Sequence, residues 1–128
     1  MVAPLKTEDI YYSSASLDNI NYAHVFYDKE GSYCKGILFE YRNGTQQSIG
    51  QCGIHVFREK KVVSPLTLFH QPVKLQYGTG VMVDFATAMS EGLDRVGWAS
   101  EKLSGIITFW FNCDSAILVV KSGSGEDI

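Results

Sequence analysis

Gly36-Ile37-Leu38-Phe39-Glu40-Tyr41-Arg42-Asn43-Gly44-Thr45-Gln46-Gln47-Ser48-Ile49-Gly50-Gln51-Cys52 reads as two extended arms closed on an Asn-Gly turn. Asn43-Gly44 offers the two positive-φ residues of a type I′ turn, whose twist matches that of the flanking strands. A two-residue loop sets the register, with Arg42 opposite Thr45, Glu40 opposite Gln47 and Leu38 opposite Ile49. Ile37, Phe39 and Tyr41 alternate onto the other face as a core stripe. This pattern decides architecture and carries no chemistry of its own.

Outward from the hairpin the chain keeps the same rhythm. Residues 20–27 alternate Ile20, Tyr22, His24 and Phe26 against Asn21, Ala23, Val25 and Tyr27, a strand with one drier face. Ile54, Val56 and Phe57 extend the second arm, bent at Gly53. Residues 58–61 read as a charged turn, and Val62-Val63 restart an extended segment that Pro65 and Pro72 mark as edge or loop. Residues 73–77 and 81–85 alternate as two further strands. Residues 105–111 form the most apolar strand, and 116–120 the last, with Phe111 and Ala116 flanking a four-residue loop. Residues 86–102 break the rhythm. Short helical turns fit 86–89 and 93–96, and Gly92 and Gly97 oppose a long helix, so this is an irregular excursion of the kind that often carries function. Roughly seven to nine strands separated by turn signals, without a convincing amphipathic helix, predict an all-β antiparallel sandwich or β-prism-like domain. The expected organisation is a lead-in over 1–12, one β domain over 13–120 and a flexible Ser-Gly tail over 121–128.

Composition narrows the function classes. A net charge of −3 with scattered basic residues speaks against a nucleic-acid binder, which needs a basic stripe to displace counterions. Arg58, Lys60 and Lys61 form the one local cluster and suit a solvated strand end. No apolar run approaches the roughly 18 residues that span a bilayer. Lys6, Glu8 and Asp9 interrupt any signal-like apolar core, so neither membrane nor secretion is expected and a cytoplasmic location is. Cys34, Cys52 and Cys113 cannot all pair internally, which points to free thiols in a reducing compartment. The sequon Asn43-Gly44-Thr45 is better explained by the turn.

Candidate chemistry is thin. His24, His55 and His70 show no metal-ligand spacing, and neither metal nor cofactor is expected. His24 shares a phase with Ile20, Tyr22 and Phe26, as a hydrogen-bonded core or interface histidine does. Glu40 and Asp84, each between apolar neighbours, could serve as an acid/base pair if the fold joined them; otherwise each occupies the wetter face of its strand. Gly78-Thr79-Gly80 precedes no helix and is not a phosphate loop, and no Gly-x-Ser-x-Gly elbow exists. Trp98 lies in the irregular excursion, either as a core anchor or as a stacking platform, with Asp94 and Arg95 nearby to bind hydroxyls. Tyr11 and Tyr12, beside Ser13-Ser14, form a second aromatic patch. Trp110, inside an apolar strand, reads as core.

Several blocks together carry a likeness: residues 13–17, 34–44, 49–52 and 105–111, in that order. Over about a third of the chain they resemble a β-rich module found at the C-terminal ends of large, mostly uncharacterised filamentous-fungal proteins. The order of the blocks is more specific than any one of them. That pattern favours an aromatic before Trp110, and Phe109 supplies it. The resemblance implies no activity and no catalytic residues. A fainter likeness is to jacalin-type β-prism lectins, where a strand, an acidic or Asn-Gly turn and a returning glycine also recur. The lectin resemblance would imply sugar binding, but their glycine-rich opening and Gly-x-x-x-Asp loop are not evident here, and residues 121–127 offer only a crude imitation.

The leading expectation is a non-catalytic module that binds a glycan or a protein partner through Trp98, Asp94 and Arg95, with Tyr11 and Tyr12 as a weaker surface. Its rival is a small cyclase- or isomerase-like β-barrel enzyme with Glu40, Asp84 or His24 as acid or base, which requires an enclosed pocket. A third reading is a self-association module, a homo-oligomer paired through an edge strand such as residues 73–77.

Overall fold

The computed structural model describes residues 11–28, 33–50, 58–75, 78–88, 97–111 and 115–121. Ten strands run through them: β1 (Tyr11–Ser16), β2 (Ile20–Tyr27), β3 (Cys34–Tyr41), β4 (Gln46–Gly50), β5 (Arg58–Val63), β6 (Thr67–Lys74), β7 (Thr79–Ala86), β8 (Ala99–Lys102), β9 (Ile106–Phe111) and β10 (Ala116–Lys121). They form three antiparallel sheets, ordered β1-β9-β10, β4-β3-β2-β5 and β7-β6-β8. Among the described residues no sheet closes into a barrel. The domain is all-β and sandwich-like.

One core joins the three sheets. Ile107 and Phe109 from the first, Ile37, Phe39 and Ile49 from the second, and Leu68, Val83 and Phe85 from the third are all buried in it. The Phe39 and Phe85 rings meet edge to face with centroids 6.3 Å apart, which ties β3 to β7. The Tyr27 hydroxyl donates to the Val83 carbonyl at 2.9 Å, and the Lys60 ammonium to Asp84 at 2.9 Å, across the same boundary. The first sheet meets the second along β1 and β4, where Gly50 N–H donates to Ser13 Oγ at 2.8 Å. Gly50 is required there: a Cβ on it would lie 2.6 Å from the Phe109 ring and from the Lys35 carbonyl, and its φ is +71°.

The central hairpin lies where the sequence puts it, but its register is one residue off. Ile37 pairs with Ile49, Leu38 with Ser48, Phe39 with Gln47 and Glu40 with Gln46. Gly44 N–H donates to the Tyr41 carbonyl at 2.9 Å, and Gly44 takes a φ of +90° while Asn43 keeps a negative one. The loop is therefore three residues, Arg42-Asn43-Gly44, with a turn ending in a left-handed glycine, and not a type I′ pair. Asn43 Oδ1 accepts from Thr45 N–H at 3.0 Å, which braces the turn. The reason for the extra residue is Ile49. A two-residue loop would send Ile49 to the face of Leu38, whereas the longer loop buries it completely opposite Ile37. Burying one isoleucine stabilises by about 2–3 kcal/mol, more than turn types differ.

Other expectations need correction. Residues 58–61 are strand, not turn: β5 pairs with β2 over Arg58–Val63, and its charges line an outer edge. Charged edges of this kind discourage pairing with another chain. Pro72 sits within β6, the middle strand of its sheet, yet β8 pairs only with residues 67–70. Proline thus falls where β6 has β7 as its one described neighbour, so its missing N–H disturbs no pairing with β8. The excursion over 86–102 ends as strand β8, and residues 89–96 lie outside the described residues. Tyr11 and Tyr12, assigned to the lead-in, open β1. Phe111 and Ala116, expected to flank a four-residue loop, are register partners in β9 and β10, and residues 112–114 lie outside the described residues.

Candidate functional site

The residues between β1 and β2, β3 and β4, β5 and β6, and β8 and β9 meet at one end of the domain. Backbone bonds stitch them together. Arg42 N–H donates to the Asn19 carbonyl at 2.9 Å, Leu17 N–H to Gly105 at 2.8 Å, and Ser64 N–H to Asn21 at 2.8 Å. Four positive-φ residues fall in these loops: Asn19 (+61°), Gly44 (+90°), Ser64 (+50°) and Gly105 (+92°). Serine in the left-handed region is strained, and such strain gathers at sites the surrounding structure holds rigid.

Two cavities open at this end. The first, about 330 Å³, lies between the β1–β2 and β3–β4 loops. Every residue lining it carries a polar group: Asp18, Asn19, Arg42, Asn43 and Thr45 from the loops, and Ser16, Tyr41 and Gln47 at the floor. The floor is fixed by its own bonds. Ser16 N–H donates to Gln47 Oε1 at 3.0 Å, and the Tyr41 hydroxyl donates to the Ser16 carbonyl at 2.6 Å, with Gln47 Oε1 3.1 Å away. Burial pushes the Tyr41 phenol up to about 12, so it stays a neutral donor at any physiological pH. The second cavity, about 260 Å³, lies beside the first and shares Asn19 and Arg42 with it. Pro65, Leu66 and Leu103 give it an apolar wall, and Lys102 adds a second cation.

A different polar cluster occupies the outer side of the second sheet. His24 on β2 holds Glu40 of β3 through Nε2 at 2.5 Å and Glu59 of β5 through Nδ1 at 2.6 Å. A neutral imidazole has one N–H, so both bonds are donated together only by the imidazolium. The Glu40 carboxyl is held below its ordinary 4.5, chiefly by the His24 hydrogen bond. Lys61 lies 4.3 Å from the Tyr22 ring centroid on the same strands. The expectation of a hydrogen-bonded histidine is met. Glu40 faces Gln46, not Gln47, and Asp84 on β7 pairs with Lys60, so the two carboxylates have different partners. Neither cavity described above includes His24, Glu40 or Asp84.

The aromatic candidates separate. Trp98 is half-buried just before β8, beside the middle of β6, and lines neither cavity. Asp94 and Arg95 lie outside the described residues. Tyr11 and Tyr12 are exposed and stack on Phe111 and Trp110, with centroids 5.5 and 4.8 Å apart. Trp110, expected in the core, is half-buried on the outer face beside Tyr12, while its neighbour Phe109 points inward. Among the described residues there is no helix long and apolar enough to cross a membrane and no group of three or more His, Cys, Asp or Glu placed to hold a metal.

The cleft residues Asp18, Asn19, Arg42, Asn43 and Thr45 were legible in the sequence only as turn formers. The signal that would have grouped them is strand parity: in an up-and-down antiparallel chain every second turn returns to the same end. Compared with known proteins, the chain matches no family model, and no curated protein or solved structure matches it at a significant level.

Proposed function

We propose that this chain is a non-catalytic binding module that recognises a glycan at its loop end. The observation that carries the reading is the cleft of about 330 Å³, whose lining residues carry both hydrogen-bond acceptors and donors. Asp18 offers acceptor oxygens, while Arg42 and the side-chain NH₂ groups of Asn19, Asn43 and Gln47 offer donors. Sugar hydroxyls both donate and accept, so a lining of mixed polarity suits them better than it suits an apolar side chain. The floor is preorganised by the Ser16–Gln47–Tyr41 bonds, which lowers the ordering cost of binding. The site moves from the Trp98 region to the loops around Asp18 and Asn43, and the chemistry stays that of a binding surface.

A glycan-array screen of the folded domain tests this, followed by calorimetric titration of any hit. Saturable binding that Asp18→Ala abolishes, at unchanged melting temperature, is the expected result. Binding that survives Asp18→Ala but is lost in Trp98→Ala returns the site to the strand β8 side. A blank array from folded protein removes the glycan reading.

A further inference from the structure

We infer that the ligand carries a carboxylate, and that the smaller cavity at the loop end is its subsite. This rests on the glycan reading above and names the class of sugar: an acidic one, bearing a uronic or sialic acid unit. Arg42 and Lys102 both line the cavity of about 260 Å³. Neither takes part in an ion pair among the described residues, whereas Lys60, their counterpart on β5, is matched by Asp84. Among the described residues no acidic side chain lines this cavity. Glu101, next to Lys102 in sequence, is turned away to His70 Nε2 at 3.0 Å. Two uncompensated cations in one recess form an anion site in charge and in place.

The walls sharpen the choice of ligand. Pro65, Leu66 and Leu103 present apolar surface on the side away from the polar cleft, where the C–H face of a ring or an acetamido methyl can pack. Arg42 is shared with the neighbouring cleft, so a single ring can set its carboxylate against Arg42 and Lys102 and its hydroxyls towards Asn19 and Asp18. Asp18 lines the polar cleft and not this recess. Arginine's planar fork matches a carboxylate with two parallel bonds, which lysine cannot replace.

Calorimetric titration with sialyllactose, tri-galacturonic acid, lactose and an acidic peptide tests the inference, using the folded domain, Arg42→Gln, Lys102→Gln and Asp18→Ala. The expected result is that at least one acidic sugar binds about tenfold or more tightly than lactose. That advantage should disappear in Arg42→Gln, shrink in Lys102→Gln and fall with rising salt. Which acidic sugar binds distinguishes a sialic from a uronic acid. Equal affinity for acidic and neutral sugars, lost in Asp18→Ala, overturns the carboxylate subsite and leaves the glycan reading standing. Binding of the acidic peptide alone, lost in Arg42→Gln, overturns both in favour of a protein partner. No binding by any of the four probes overturns the carboxylate inference, and the array decides the broader reading.

Discussion

The His24 cluster and the loop end are both polar, and they differ in where their partners come from. His24 spends both ring nitrogens on Glu40 and Glu59, and the cluster straps β3 and β5 to the strand between them. At the loop end the backbone is stitched together, but Arg42 and Lys102 line a recess that has no opposing carboxylate among the described residues. A polar cluster that satisfies itself holds a fold together. One that the fold leaves unmatched, on a rigid base, is open to a ligand. The two regions should therefore respond to mutation in opposite ways.

The largest contrast is between two glycines with positive φ. Gly50 is packed against Phe109 and Lys35, and Gly44 at the loop end has nothing within 4 Å of a Cβ position. Gly50→Ala is expected to cost about 3 kcal/mol, from overpacking added to backbone strain. Gly44→Ala is expected to cost about 1 kcal/mol, from strain alone. Denaturant titration of both variants separates them, and equal losses would mean that β4 does not pack on the first sheet as described.

Next in size is His24→Ala, expected to lower stability by about 2 kcal/mol because two charge-assisted bonds go and two carboxylates are left facing the gap. The same strap has an acid signature. Glu40 is held below 4.5 in the folded state, so its contribution is whole above pH 4.5 and is lost as the pH falls through its lowered folded value. A stability–pH curve for Glu40→Gln should be flatter on that acid limb than the parent's. Parallel curves would show that the His24 bond is not formed in solution.

At the floor of the cleft, Tyr41→Phe removes a buried hydrogen bond and is expected to cost about 1 kcal/mol. The phenol is raised from 10 to about 12 by burial, so its contribution is whole below pH 10 and is lost as the pH rises towards 12. Ultraviolet titration should show a late-ionising tyrosine in the parent that is lost in the variant. Smallest of all, Arg42→Gln and Lys102→Gln should each change stability by less than about 0.5 kcal/mol, since exposed charges without partners hold little of the fold together. A loss as large as that of His24→Ala would make Arg42 a structural residue and erase the contrast between the two regions.

Much of the fold was legible locally. The alternation over Ile20–Tyr27 marked β2 to the residue, and the apolar run before Asn112 marked β9. The hairpin position followed from Asn43-Gly44, but not its register, because both two- and three-residue loops accept that pair. β5 was missed because Arg58-Glu59-Lys60-Lys61 has no apolar alternation; its strand character comes from pairing with β2. Of the site, Trp98 was visible as an aromatic in irregular sequence, yet nothing in its neighbours could say which end of the domain it occupies. Asp18, Arg42 and Lys102 lie far apart in the chain and have no motif in common, so no spacing rule could join them.

By itself the sequence determined that this chain is all-β, that its hairpin turns on Gly44, and that Ile37, Phe39 and Tyr41 face inward. These are matters of period and local backbone freedom, which act over a few residues. Tertiary structure decided the register, through the burial of Ile49, and the side of the molecule on which each turn lies. It also decided which charges are matched: His24 reaches two glutamates from neighbouring strands, while Arg42 and Lys102 line one recess without one. Charge pairing depends on distance in space, and only the packed sheets set that distance.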